Sequence, residues 1–224
     1  AAGLSSYGEA GTAGVTAAEL QSADFAEKLG GAFIADIQNL NNGYPVLAWQ
    51  RARLADVADG AWYADAANYV VGAGLFDLTG ANFKPDAPMT RLMLAEALWR
   101  LEGSPRAASE KPFTDTDAPS VVWALNAEIV NGTGDGKFSP NNSITREQIA
   151  AMLYRYAAYK KADLSAAGDL SVFSDAAKIS GYAKTNMEWA VGKKLINGMG
   201  DGTVNPQGTA SRAQVAQILL NYSK

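Results

Sequence analysis

The chain repeats itself, and that self-similarity limits the possible folds more than any other property of the sequence. Trp123–Tyr156 aligns with Trp189–Tyr222 without a gap at a constant offset of 66, and 13 of the 34 aligned positions are identical. The identities include Trp123/Trp189, Asn131/Asn197, Gly132/Gly198, Asp135/Asp201, Gly136/Gly202, Pro140/Pro206, Arg146/Arg212 and Leu153/Leu219. An earlier copy precedes them. Phe83, Pro85, Thr90 and Arg91 match Phe138, Pro140, Thr145 and Arg146 at an offset of 55, while Tyr69 and Leu75 match Trp123 and Ile129 at 54. The one-residue difference falls in the turn between them, where insertion is cheap.

Each copy opens on an apolar-x-Asp element: Leu54-Ala55-Asp56, Phe113-Thr114-Asp115 and Phe173-Ser174-Asp175. The copies span 54–103, 112–160 and 172–224. Gly103–Lys111 and Lys161–Leu170, rich in Ser, Ala and charge, read as linkers. Each copy reads as helix, loop, helix. Thr145 with Gln148 and Ser211 with Gln214 have the spacing of a capping box. Ile149, Met152, Leu153 and Tyr156 then recur on one helical face, as do Val215, Ile218, Leu219 and Tyr222. In the first copy Thr90 can cap, but Met93 breaks the box. The loop from Asn131 to Pro140 is dense in turn formers, and Pro140 stops a helix from running through it. The fold class is mainly α.

Composition narrows the function. Hydrophobic residues make up 48% of the 224, enough for a packed core. With no cysteine and no histidine, disulfides, thiolate nucleophiles, Cys/His zinc sites and His-based triads are excluded. A net charge of −4 leaves no basic footprint for nucleic acid, so an anionic partner would be held by local Arg or Lys. No stretch approaches the roughly 18 apolar residues of a membrane span. Ala1–Gly14 is small and polar, without the basic start and apolar run of a secretory signal, and reads as a cut within a longer protein.

The combined pattern resembles the S-layer homology (SLH) repeat of bacterial cell-envelope proteins. It is carried by Phe-x-Asp at the start, Trp/Tyr-Ala in the first helix, Asn-Gly-x-Gly-Asp-Gly in the loop, Phe-x-Pro, and Thr-Arg opening the second helix. The resemblance covers 54–224. It implies three repeats packed as a pseudo-threefold helical bundle, with grooves between neighbours that bind secondary cell-wall polysaccharide, often carrying pyruvate ketals. It implies extracellular, cell-wall localisation, no catalytic residues, no cofactor and no metal. The residues it implicates in glycan binding carry over to Asp56, Asp115 and Asp175, to Arg91, Arg146 and Arg212, and to the loop glycines Gly132 and Gly198. In the first copy Asp77-Leu78-Thr79-Gly80 replaces the Asn-Gly-x-Gly register.

The chain departs from the family pattern in three ways. Met93, Gln148 and Gln214 stand where Thr-Arg-x-Glu has its Glu. The second repeat is about five to six residues short between Phe113 and Trp123, which implies a shortened first helix and leaves no counterpart of Trp62-Tyr63. The third has Val204 for Phe138 and Ser211 for Thr145. Ahead of the repeats, residues 1–50 form an extension. Thr16 and Glu19 start a short helix through Leu20, Phe25 and Leu29 that ends near Gly30-Gly31. Leu40–Trp49 resembles the tail that follows repetitive β domains in large Firmicutes surface proteins.

Each candidate site residue has a structural reading beside the functional one. Arg91, Arg146 and Arg212 sit in the first turn of a helix, where cation and free N–H groups together attract an anion, and a guanidinium grips a carboxylate through two parallel bonds. Alternatively each pairs with its repeat's own Asp. The three aspartates accept sugar hydroxyls, orient the Arg, or cap the following helix. Trp62, Trp123 and Trp189 can stack on sugar faces; core packing is the favoured reading for Trp123 and Trp189, which lie beside apolar neighbours, and Trp62, beside Gly60, is the better candidate for exposure. Asp135 and Asp201 offer one carboxylate each, too few for calcium, and mark tight turns. The competing functions are a glycan-binding anchor, a structural or self-assembly module with degenerate grooves, and, weakest, a carbohydrate-active enzyme.

Overall fold

The computed structural model describes residues 16–29, 33–34, 44–47, 54–78, 80–108 and 111–224. The chain divides into two units, 1–52 and 53–224. In the first, α1 (Ala17–Leu20) begins at Thr16, whose hydroxyl accepts from the Glu19 N–H while the Glu19 carboxylate accepts from the Thr16 N–H. That is the expected capping box. The helix then breaks at Gln21-Ser22. The Ser22 hydroxyl accepts from Phe25 N–H, and α2 (Ala23–Lys28) starts again, so two short helices replace one. Strands β1 (Phe33–Ile34) and β2 (Val46–Leu47) pair antiparallel. Gly30, Gly31, residues 1–15 and the 40–43 and 48–49 parts of the Leu40–Trp49 segment lie outside the described residues.

The second unit is mainly helical. Its three first helices are α3 (Ala64–Gly72), α5 (Pro119–Asn126) and α7 (Lys184–Gly192). Its three second helices are α4 (Arg91–Leu101), α6 (Arg146–Tyr159) and α8 (Arg212–Tyr222). Thr145 and Ser211 form complete capping boxes with Gln148 and Gln214, whereas Thr90 accepts from Met93 N–H alone. The capping contrast follows from side-chain chemistry, since Met has no oxygen to return the bond. The shortening of the second repeat falls elsewhere than expected. Helix α5 has eight residues against nine in α3 and α7. What the second repeat lacks is the run ahead of the helix, which in the third repeat makes 3-10 turns at Ala176–Lys178 and Gly181–Ala183. Pro119 opens α5 directly, with its φ preset for a first helical position.

Helix pairing crosses the repeat boundaries. Helix α5 packs on α4, α7 on α6, and α3 on α8, so each first helix lies against the second helix of another repeat. A lone repeat therefore cannot bury its own apolar stripe. At the entry to the second helices the backbone closes a ring of three hydrogen bonds. Ile144 N–H donates to Met89 O at 2.9 Å, Met89 N–H to Ala210 O at 3.0 Å, and Ala210 N–H to Ile144 O at 3.2 Å. All three side chains are buried. At the other end Tyr156 of α6 stacks at a tilt on Tyr222 of α8, 5.6 Å between ring centroids. Its hydroxyl donates to the carboxylate of Glu102, which follows α4. Lys160 completes this cluster with a 2.8 Å ion pair to Glu102. Equivalent apolar positions on the second helices, Leu94/Ile149/Val215 and Leu98/Leu153/Leu219, are buried throughout.

Candidate functional site

The opening aspartates and the helix-start arginines meet on the same strip of backbone. The Asp115 carboxylate accepts from Phe138 N–H at 2.9 Å and Ser139 N–H at 2.8 Å. Asp56 does the same for Phe83 and Lys84, at 2.7 and 2.6 Å, and Asp175 for Val204 and Asn205, at 2.8 and 2.9 Å. In each pair the second residue is left-handed, with φ of +57° at Lys84, +58° at Ser139 and +47° at Asn205. That conformation costs a non-glycine residue about 1 kcal/mol, and the carboxylate clamp offsets it. The N–H bonds hold the Asp115 carboxyl below the usual carboxylate range, Phe138 contributing most. Asp175 makes no capping bond to the turn that follows it. The aspartates are thus loop clamps, a role absent from the sequence reading.

The arginines hold the other side of those peptides, from another repeat. Arg91 Nε donates to Phe138 O at 2.9 Å and Nη2 to Asn131 O at 3.0 Å. Arg146 reaches Val204 O at 2.8 Å and Asn197 O, and Arg212 reaches Phe83 O at 2.7 Å and Asp77 O at 2.8 Å. The bonds run from first repeat to second, second to third, and third back to first. All three arginines are buried, and burial lowers their pKa values below the ordinary guanidinium range. They do not pair with their own repeat's Asp.

The loop glycines are sites of close approach. A Cβ on Gly132 would lie 2.8 Å from Lys137 O and 2.9 Å from Phe113 Cε1, and one on Gly198 would lie 2.8 Å from Phe173 Cε1. Asp201 Oδ1 accepts from both the N–H and the hydroxyl of Thr203, and Asp135 is left-handed between two glycines of positive φ, so the Gly-Asp-Gly segments are tight turns. Trp123 and Trp189 are buried, edge-on to Tyr159 and Tyr154. Trp62 is 63% exposed, its ring edge-on to Tyr63 at 5.3 Å.

A pocket of about 370 Å³ brings Arg91 and Gly132 together with Asn131, Gln148, Arg155 and Tyr182. Three repeats contribute to it. Gly198, Trp62, Arg146 and Arg212 lie elsewhere. Sequence reasoning missed Arg155 and Tyr182. Arg155 sits nine residues beyond Arg146, on a helical face assigned only by its apolar positions, and Tyr182 belongs to an irregular segment. Tyr182 donates to Glu147 Oε1 at 3.1 Å, and Ser180 N–H and hydroxyl bind the same carboxylate. Buried Glu147 thereby fixes the Tyr182 segment over α6. Desolvation, then the Glu147 charge, pushes the Tyr182 phenol up to about 12, while Arg91 and Arg155 pull it down. Among the described residues the pocket lining carries two cations and no acid. Such a surface suits an anionic or hydroxyl-rich ligand.

Comparison with known proteins agrees with this architecture. The S-layer homology domain matches residues 53–92, 112–150 and 172–216. The chain is 31% identical over 144 residues to an endoglucanase of Bacillus sp. (strain KSM-635), covering 63% of the chain and 15% of that protein. It is 29% identical over 180 residues to the surface-layer 125 kDa protein of Lysinibacillus sphaericus, covering 75% and 14%. It is 31% identical over 114 residues to cell surface glycoprotein 1 of Acetivibrio thermocellus, covering 50% and 5%. The chain thus spans 15% or less of the length of these three relatives, and the likeness to the endoglucanase is confined to a small part of that enzyme. With three matched repeats over more than half its length, the chain belongs to the S-layer homology domain family.

Proposed function

We propose that this chain anchors a larger protein to the bacterial cell wall without a covalent bond, by binding a cell-wall polysaccharide in grooves between its repeats. Its place is the cell surface, in keeping with the family and with the surface-layer and cell-surface relatives. The observation that carries the reading is the Arg91–Arg155 pocket, a concave, cationic, acid-free surface assembled from three repeats. The cyclic bonding of the repeats supports a pseudo-threefold arrangement with three related grooves. Residues 54–103, 112–160 and 172–224 are the three repeats, and 1–50 is the tail of an upstream surface-protein region.

The test is co-sedimentation with purified cell walls before and after the non-peptidoglycan polymer is stripped. Binding lost on stripping supports the anchor, and equal binding to both refutes it. A second reading has its own support. The arginines that the family resemblance assigns to the glycan donate to backbone carbonyls of a neighbouring repeat, and the aspartates clamp the loops of their own repeats. A purely structural module would bind neither preparation and would self-associate with concentration in sedimentation velocity.

A further inference from the structure

The three grooves are not chemically equivalent, and the difference comes down to one pair of positions. In the groove described above, Asn131 faces Arg155. With the Asn131 amide turned to satisfy its neighbours, its oxygen accepts from Arg155 Nη2 at 3.3 Å. At the corresponding positions in the groove between the third and first repeats stand Asp77 and Arg100. That correspondence is fixed by the backbone, since Arg91 Nη2 binds Asn131 O and Arg212 Nη2 binds Asp77 O. Here the pair is a bidentate ion pair, Arg100 Nη1 to Asp77 Oδ1 and Nη2 to Oδ2, both at 2.8 Å. Burial raises the pKa of nearby Glu96, with Arg100 lowering it and the Asp77 charge adding a smaller upward push. In the remaining groove Asn221 takes the place of Arg155, and its side-chain oxygen accepts from Gln217.

We infer that Arg155 makes the Arg91 groove the anion-accepting one of the three, for a carboxylate-bearing sugar, and that Asp77 closes the Arg100 groove by occupying its guanidinium from within. The inference rests on the anchor reading and sharpens it. A carboxylate and an asparagine side chain differ little in shape, so Asp77 acts as an internal copy of the ligand's acid group. Arg155 has no ion pair among the described residues, whereas both Nη atoms of Arg100 are engaged by Asp77. Arg91 and Arg155 line the same pocket, so an entering anion meets two guanidinium groups; burial lowers the Arg91 pKa most, Arg155 lowers it further, and Tyr182 and Asp115 oppose them.

The experiment uses the whole chain and one probe, cell-wall polysaccharide released from Gram-positive peptidoglycan, native or with its carboxyls reduced to alcohols. Affinity is measured by titration calorimetry for the native protein, Arg155→Gln, Asp77→Asn and the double variant. Asp77 is exposed and Arg155 half-buried, so neither substitution opens the core, and a retained cooperative melt verifies the fold, with Asp77→Asn giving up only its ion pair to Arg100. The native protein should bind the native polymer and lose at least about tenfold on carboxyl reduction. Arg155→Gln should lose about tenfold or more, and Asp77→Asn in that background should restore binding by freeing Arg100. If the native protein binds no polymer, the anchor reading falls and this inference with it. If it binds but Arg155→Gln binds equally well, the anchor stands and the inference is overturned. Failure of Asp77→Asn to restore binding overturns the closure of the Arg100 groove.

Discussion

Arg146→Ala should damage the fold before it affects any ligand. The guanidinium lies buried at the start of α6 and donates to Val204 O and Asn197 O of the third repeat. Hydrogen bonds from a charged donor are worth about 1.5–3 kcal/mol each. Val204 O is buried and would be left without this donor, while Asn197 O is half-buried and regains part of its solvation from water. The expected loss is therefore about 3–5 kcal/mol, against a total stability of about 5–15 kcal/mol for a domain. For a unit of this size each kcal/mol moves Tm by about 2–4 °C, so Tm should fall by roughly 6–20 °C. Arg146→Lys keeps the charge but not the fork that spans two carbonyls, and should fall between. Arg155→Ala on the same helix should cost under about 1 kcal/mol, because no backbone carbonyl depends on it. Thermal and urea unfolding followed by circular dichroism measure all three. A loss below about 1 kcal/mol for Arg146→Ala, or one equal to that of Arg155→Ala, would refute the inter-repeat lock. Loss of wall binding in an Arg91, Arg146 or Arg212 variant consequently does not identify a ligand contact, and Arg155 is the position that separates the two roles.

Gly198→Ala should destabilise by about 1–3 kcal/mol in urea melts, since the new Cβ would meet Phe173 Cε1 at 2.8 Å and Thr203 O at 3.1 Å. Thr145→Ala removes the acceptor for Gln148 N–H and should cost about 1 kcal/mol, with Tm the readout. Acid should loosen the repeats in a defined direction. Arg100 bonds hold the Asp77 pKa down, and the Phe138 N–H bond does so first for Asp115, each below the ordinary 3.8. A depressed folded value means that both stabilise the native state above about pH 3.8, and that this contribution drains away as pH falls through the lowered values. Asp77→Asn should flatten that part of the stability–pH curve, and an unchanged acid limb would exclude the Asp77 contribution.

The repeat, the helix pairs, the caps and the family were legible in the sequence because each rests on local chemistry. Thr145 with Gln148 and Ser211 with Gln214 make the boxes that their spacing requires, and Thr90 with Met93 fails to for want of one oxygen. The alternation of apolar and polar positions picked out Ile149 and Leu153 for the core. The short second repeat was visible as a gap, but periodicity does not say which residues a gap removes. Pro119 allowed α5 to keep nearly full length while the segment ahead of it was lost.

What the sequence could not settle was partnership between residues far apart in the chain. The family pattern pointed to Arg91, Asp115 and Gly132, yet not to the fact that Arg91 and Asp115 grip opposite sides of the Phe138 peptide from different repeats. It showed Asp77 in place of an asparagine without showing that Arg100 lies opposite. Helix propensity, capping and periodicity act within about one turn and are written in consecutive residues. The charge balance of a groove depends on side chains from three repeats, and that sum is defined only once the helices have exchanged partners around the closed ring of backbone bonds.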